Sequence, residues 1–277
     1  MKSEVFMSNL SMIVKGRKSV RTYDENPISD EHRKAIEEYM KSITNPFDIP
    51  VEFLLLDAKE HGLSSPVLSG EQLYVVGKVA KKPYCGVAFG YSFEKLVLYA
   101  WSLGIGTVWI GGTMKRELFE AAADLKEGEM MPCISPLGYP AKKKSMKEAL
   151  MRKGIGADYR IAEDRFFFLN EWGQSGTPDD EMAEILDLVR WAPSAVNKQP
   201  WRILLKDGVY HFYEKKDKGF TGNATGDIQK IDVGIALCHF MMGLEDKGKK
   251  ASVTISDPGI RIPNDVEYIA SVTIKDV

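Results

Sequence analysis

Cysteine is nearly absent: Cys85, Cys133 and Cys238 are the only three in 277 residues, and none stands in a C-x-x-C pair. An odd, scattered set supports neither a disulfide framework nor a cysteine-built zinc site, so a reducing compartment is the expected setting. Histidine is almost as scarce. His32, His61, His211 and His239 share no metal-ligand spacing and read as surface or structural residues. An excess of one charge is missing too. Lys and Arg number 37 against 39 Asp and Glu, a net charge of -2, which gives neither nucleic acid nor an anionic membrane a reason to bind.

Long apolar runs are also lacking. The most apolar one, Leu96 to Gly112, is broken by Gly104 and Gly106 and falls short of the roughly 18 residues of a spanning helix. It reads as a buried helix followed by a buried strand. No basic segment followed by an apolar one opens the sequence, so no signal peptide is expected. The expectation is a soluble, cytoplasmic protein.

The chain is long enough for one large domain or two small ones. Within it, the stretch WAPSAVNKQPW (Trp191 to Trp201) stands between an amphipathic helix, Asp179 to Arg190, and an apolar strand, Trp201 to Leu205. Pro193 stops the helix and Pro200 biases Gln199 toward extended backbone. Between them lies a small-residue loop carrying Ser194, Asn197 and Gln199, whose carboxamides suit a flat heterocycle. An ordinary helix-to-strand connection reads the same way. A second stretch, GRKSVRTY (Gly16 to Tyr23), comes after a first helix predicted over Val5 to Lys15. A solvated basic turn is the plain reading, but Val20 and Tyr23 alternate with the polar residues, as in an extended segment held on a core.

The chain in order predicts a helix from a Ser29 N-cap to Ser42, and strands over Val51 to Asp57 and Leu73 to Ala80. A helix apolar nearly all round comes next, over Gly86 to Leu103, and belongs in the middle of the protein. Thr107 to Ile110 reads as a short strand ending at Gly111-Gly112, where paired glycines let a ligand approach backbone N–H groups; a plain turn gives the same signal. A helix from Met114 to Leu125, a strand from Met131 to Gly138 and a basic helical stretch from Ala141 to Gly154 complete the first part. After Arg160 the pattern restarts. The helix after Pro178 repeats that after Pro27, and the strand from Trp201 repeats that from Val51. Gly90 to Gly104 and Gly234 to Gly248 bracket equally long helices (234 − 90 and 248 − 104 both give 144). Strands over Val209 to Tyr213, Ala251 to Ile255 and Tyr268 to Ile274 fill out a second set. Phe166 to Trp172, which has no cation, reads as the counterpart of the basic segment.

The two motifs together resemble the nitroreductase family of FMN-dependent oxidoreductases, in which an R-x-S-x-R-like segment and a later P-S-x-x-N-x-Q-P-W segment meet across a dimer interface. In the family the second motif lies close behind the first; here it lies far downstream, with SITNPFDIP (Ser42 to Pro50) in its usual place. The chain is most similar to single-chain, internally duplicated members. The resemblance implies an α+β nitroreductase-like fold, a single unit of two pseudo-symmetric halves, about 1–160 and 161–277, packed as an internal pseudo-dimer. A monomer would then be sufficient.

The resemblance also implies roles. Arg17, Lys18, Ser19 and Arg160 would hold the FMN phosphate, and Arg21 would lie near the pyrimidine side of the ring. Ile110, Gly111 and Gly112 would serve another edge of the flavin, and Pro193, Ser194 and Asn197 would close the site from the other half. No catalytic side chain and no metal are expected. The implied activity takes electrons from NADH or NADPH to a small-molecule acceptor such as a nitroaromatic or a quinone. A flavin-binding or degenerate ligand-binding protein without turnover, and flavin chemistry of another kind, are the alternatives.

Overall fold

The computed structural model describes residues 6–7, 9–143 and 146–275. Val5 and Ser8 of the predicted first helix and, in the basic stretch, Lys144 and Ser145 lie outside them.

In the first part of the chain β1 (Val51–Asp57) runs antiparallel to β2 (Leu73–Ala80), from Val51↔Val79 to Asp57↔Leu73. On its other side β2 pairs with β3 (Glu129–Met130) and β4 (Ile134–Leu137). Isolated bridges extend the array: Ile110 to Ile134, Gly106 to Gly138, and Ser19, in parallel, to Thr107. The second sheet contains β5 (Phe167–Leu169), β6 (Trp201–Lys206) and β7 (Val209–Lys215). A small ribbon of β8 (Thr221–Gly222) and β9 (Gly226–Asp227) comes next in the chain. Then β10 (Lys250–Thr254) and β11 (Val266–Lys275) complete the second sheet in the order β10-β11-β7-β6-β5, with only β5 and β6 parallel.

Seven described helices surround and separate these sheets: α1 (Leu10–Gly16), α2 (Asp30–Ser42), α3 (Cys85–Ser102), α4 (Arg116–Ala122), α5 (Met146–Gly154), α6 (Asp180–Arg190) and α7 (Ile228–Asp246). α3 lies against β1 and β2, α7 against β6, β7 and β10, and the two pack on each other. Both are buried along most of their length, as a helix apolar on every side must be. Glycine sets their separation. A Cβ built at Gly90 would stand 2.0 Å from the Ile231 carbonyl oxygen, and one at Gly234 would stand 2.1 Å from that of Val87.

The predicted helix starts hold. Ser29 accepts from His32 N–H at 3.2 Å, and Asp179 from Met182 N–H at 2.8 Å, each satisfying a donor at an open helix end. Other elements differ. The helix before the basic segment, Leu10–Gly16, follows a turn at Asn9, with Phe6 and Met7 again helical ahead of it, and α4 is shorter than Met114 to Leu125. Thr107 to Ile110 forms bridges but no continuous strand: Val108 N–H donates to the Ser135 hydroxyl at 3.1 Å instead of to a carbonyl. Met131 to Gly138 is interrupted by Pro132, which has no N–H to give a ladder, leaving β3 and β4 on either side. Phe166 to Trp172 is not placed as a counterpart of the basic segment. Its strand β5 joins the β6 edge, whereas Ser19 joins Thr107 beyond β4, at the opposite end of its own array.

Candidate functional site

α1 closes at Gly16, Arg17 N–H donating to Ile13 O at 2.9 Å, and the chain then turns extended. Two apolar anchors pin this extended segment. Val20 is buried and donates its N–H to Thr107 O at 2.9 Å; it lies so close that a Cβ at Gly106 would meet it at 2.8 Å. Tyr23 is buried too, its hydroxyl donating to Val20 O at 2.6 Å, and burial pushes that phenol well above its ordinary value. Arg17, Lys18 and Ser19, ahead of these anchors, are left along the wall of a cavity.

The facing wall is the loop after α6, and its backbone is strained. Val196, Asn197 and Gln199 have φ of 43°, 59° and 53°. Such values are unfavourable for any residue with a Cβ, and most of all for β-branched valine. Neighbouring groups hold the shape. Both carboxylate oxygens of the buried Asp232 accept from Ala195 N–H, at 3.0 and 3.1 Å. Burial pushes the Asp232 carboxyl well above the usual range. Gln199, also buried, accepts from Ile161 N–H at 2.9 Å and donates its own N–H to Ser194 Oγ at 2.9 Å. Asn197 Nδ2 donates to the carbonyls of Gly156 and Tyr159, at 2.7 and 3.0 Å. The polar groups of Ser194 and Asn197 thus lock the loop onto itself and onto the 156–161 turn.

Between the walls is a cavity of about 320 Å3, within the range of about 300–1,000 Å3 typical of small-molecule sites. It brings Arg17, Lys18 and Ser19 together with Arg160, Pro193, Ser194 and Asn197. Arg160 lies over the Trp191 ring, 4.6 Å from its centroid, and its Nη1 donates to the carbonyls of Ala157 and Tyr159. Lys15 adds a fourth cation to the lining, against the single carboxylate of Asp158. An anion is the ligand such a lining favours.

Four predicted site residues lie outside this lining. Beyond Val20 the chain turns away, and the Arg21 carbonyl accepts from Ser69 N–H at 3.0 Å. Ile110 is buried in a separate apolar cluster around Tyr74 and Phe119. The Gly111 carbonyl is held by Arg116 Nη2 at 2.6 Å, a guanidinium that also donates to Met131 O and Pro132 O. A Cβ at Gly112 would meet nothing within 4 Å.

Residues absent from the sequence-based set also shape the site: Trp191, Asp158, Ile155 and, behind Arg17, a buried polar cluster. Glu94 of α3 lies 4.0 Å from Arg17 Nε, accepts from Trp109 Nε1 at 3.1 Å and contacts His239 Nε2 at 3.0 Å. His239 Nδ1 faces Leu188 O at 2.8 Å. The one sequence signal is that Glu94 is the single acid of α3 and His239 the single histidine of α7, each among mainly apolar neighbours. Among the described residues no group of His, Cys, Asp and Glu is arranged to hold a metal, and no helix is long and apolar enough to cross a membrane.

Residues 9–244 match the family described as "Putative TM nitroreductase". The chain belongs to that family. A crystal structure of a "putative nitroreductase" of Thermotoga maritima MSB8 aligns over 95% of this chain and 93% of its own, at 19% identity and a TM-score of 0.61, and so shares the family fold. An FMN-dependent nitroreductase of Clostridium difficile R20291 aligns over 48% of this chain and 88% of its own, at 18% identity and a TM-score of 0.42. No curated protein matches the chain.

Proposed function

We propose that the protein is an FMN-binding oxidoreductase that takes electrons from NADH or NADPH and passes them to a small acceptor such as a nitroaromatic or a quinone. The observation that carries this reading is the cavity in which Arg17, Lys18, Ser19 and Arg160 face Pro193, Ser194 and Asn197. Its cationic lining fits a phosphate that carries close to two negative charges at neutral pH. Membership of a nitroreductase family supports the choice of a flavin over other phosphates.

In this reading Arg17, Lys18 and Arg160 hold the phosphate, with Ser19 beside them, and the rigid 193–199 loop forms the opposite wall. Arg21, Ile110, Gly111 and Gly112 lie outside the cavity lining, and a role for them toward the flavin ring rests on the motif resemblance alone. FMN, when bound, supplies the redox chemistry, and the protein supplies position, electrostatics and exclusion of water. No side chain need act as a general acid or base.

We propose further that the chain is an internal pseudo-dimer of two repeats, about 1–160 and 161–277, with one FMN and a monomer as the sufficient unit. The reciprocal contacts of Gly90 with Ile231 and Gly234 with Val87 support this, since 231 − 87 and 234 − 90 both give 144. In an isologous interface residue i meets j as j meets i. Anaerobic addition of NADH or NADPH to the FMN-loaded protein tests the activity. Bleaching of the flavin absorbance is expected, and binding without bleaching would favour a flavin-binding protein without turnover.

A further inference from the structure

Glu94 is a carboxylate with no exposure to water, 4.0 Å from the Arg17 guanidinium. At that separation, away from water, a full negative charge on Glu94 would offset much of the positive charge that Arg17 presents to an anion. The hydrogen count around His239 shows what prevents this. Leu188 O only accepts, so the Nδ1 that faces it at 2.8 Å carries a hydrogen. Nε2 lies 3.0 Å from Glu94 Oε1, and two lone pairs do not approach so closely, so a second hydrogen lies between them. Whichever atom holds it, Glu94 and His239 together carry no net charge.

The geometry points to His239 as a positioning residue for anion recognition: by sharing that proton with Glu94, it keeps a net negative charge from building up beside Arg17, which lines the cavity. This rests on the cavity being the FMN phosphate site. It also gives the pair a place in the fold, since Glu94 is on α3, His239 on α7, and Leu188 on α6, which leads into the 193–199 loop. Both cavity walls are thereby tied through one imidazole and its two hydrogen bonds.

The test compares FMN with riboflavin, which lacks the phosphate, by quenching of flavin fluorescence. The wild-type protein is expected to prefer FMN. In His239→Leu, Glu94 is left charged 4.0 Å from Arg17, and the preference for FMN over riboflavin should fall by at least about tenfold while riboflavin binding changes by no more than about twofold. His239→Gln, which retains a donor toward Glu94 without a charge, should lose the same preference and covers the case in which leucine disrupts folding. Glu94→Gln added to His239→Leu should restore the preference. Equal weakening of both flavins, or a double variant that recovers nothing, would overturn the inference and leave His239 a packing residue. A wild-type protein that does not prefer FMN would instead remove the reading of the cavity itself.

Discussion

Gly90 and Gly234 each sit against the backbone of the opposite central helix, with space for a Cβ closed to 2.0 and 2.1 Å by a carbonyl oxygen. Backbone cannot swing aside as a side chain can, so alanine at either position must push α3 and α7 apart. Gly90→Ala and Gly234→Ala are each expected to cost roughly 1–3 kcal/mol or more, and by similar amounts. Gly154→Ala, where a Cβ meets nothing within 4 Å, is the control. Thermal unfolding of the three variants checks this, and a clear inequality between the first two would count against the pseudo-twofold arrangement.

Arg17 and Arg160 are the two arginines in the cavity lining. A charge-assisted hydrogen bond contributes about 1.5–3 kcal/mol, so Arg17→Ala or Arg160→Ala should weaken FMN binding by about 10- to 100-fold. Arg21 lies outside the lining, and Arg21→Ala should leave affinity nearly intact and act on the flavin reduction potential. Titration with FMN, and potentiometry of the loaded variants, separate the two effects.

The loop offers a test in the other direction. Val196 is 57% exposed and holds φ at 43°, a conformation that costs a β-branched residue roughly 1–2 kcal/mol. Val196→Gly should raise the unfolding midpoint by a few degrees, about 2–4 °C for each kcal/mol recovered in a chain of this size. Asn197→Ala should lower it, because two hydrogen bonds to the 156–159 turn are lost.

What could be read from the sequence is what depends on near neighbours. The N-cap Ser29, the helix that begins at Asp179, the all-round apolar character of α3, and the strands β6 and β7 are all set by residues within a few positions. The convergence of Arg17 with Asn197 was legible only through the family motifs. The contact of Glu94 with His239 joins residues 145 positions apart and leaves no periodic trace. The edge chosen by β5 was hidden for a related reason: three apolar residues in a row fit either edge of a sheet, and tertiary packing decides between them. The left-handed turn at Val196 defies local preference outright, which is common where structure serves a site.

Glu214 of β7 predicts a pH dependence. Its carboxyl is buried, and that burial, with Asp227 nearby, pushes it up to about 8 from an ordinary 4.5. The folded protein therefore keeps a proton that the unfolded chain has released between these values. Its contribution is fully present below about 4.5 and is lost as pH rises through about 8, with a slope of at most roughly 1.4 kcal/mol per pH unit. Glu214→Gln should flatten that part of the stability profile measured by urea unfolding.

The central proposal is one flavin site, built once, in a chain of two halves. Beside Thr107 the first half carries Arg17, Lys18 and Ser19, whereas among the described residues no strand or bridge adjoins the outer edge of β10. Among the described residues, no segment of the second half thus pairs with the outer edge of β10 as Ser19 pairs with Thr107. The most direct measurement is titration of the apoprotein with FMN, with light scattering of the product. One FMN per chain on a monomer is expected, with affinity lost in Arg17→Ala. Two equivalent sites per chain, or binding confined to a dimer, would contradict it.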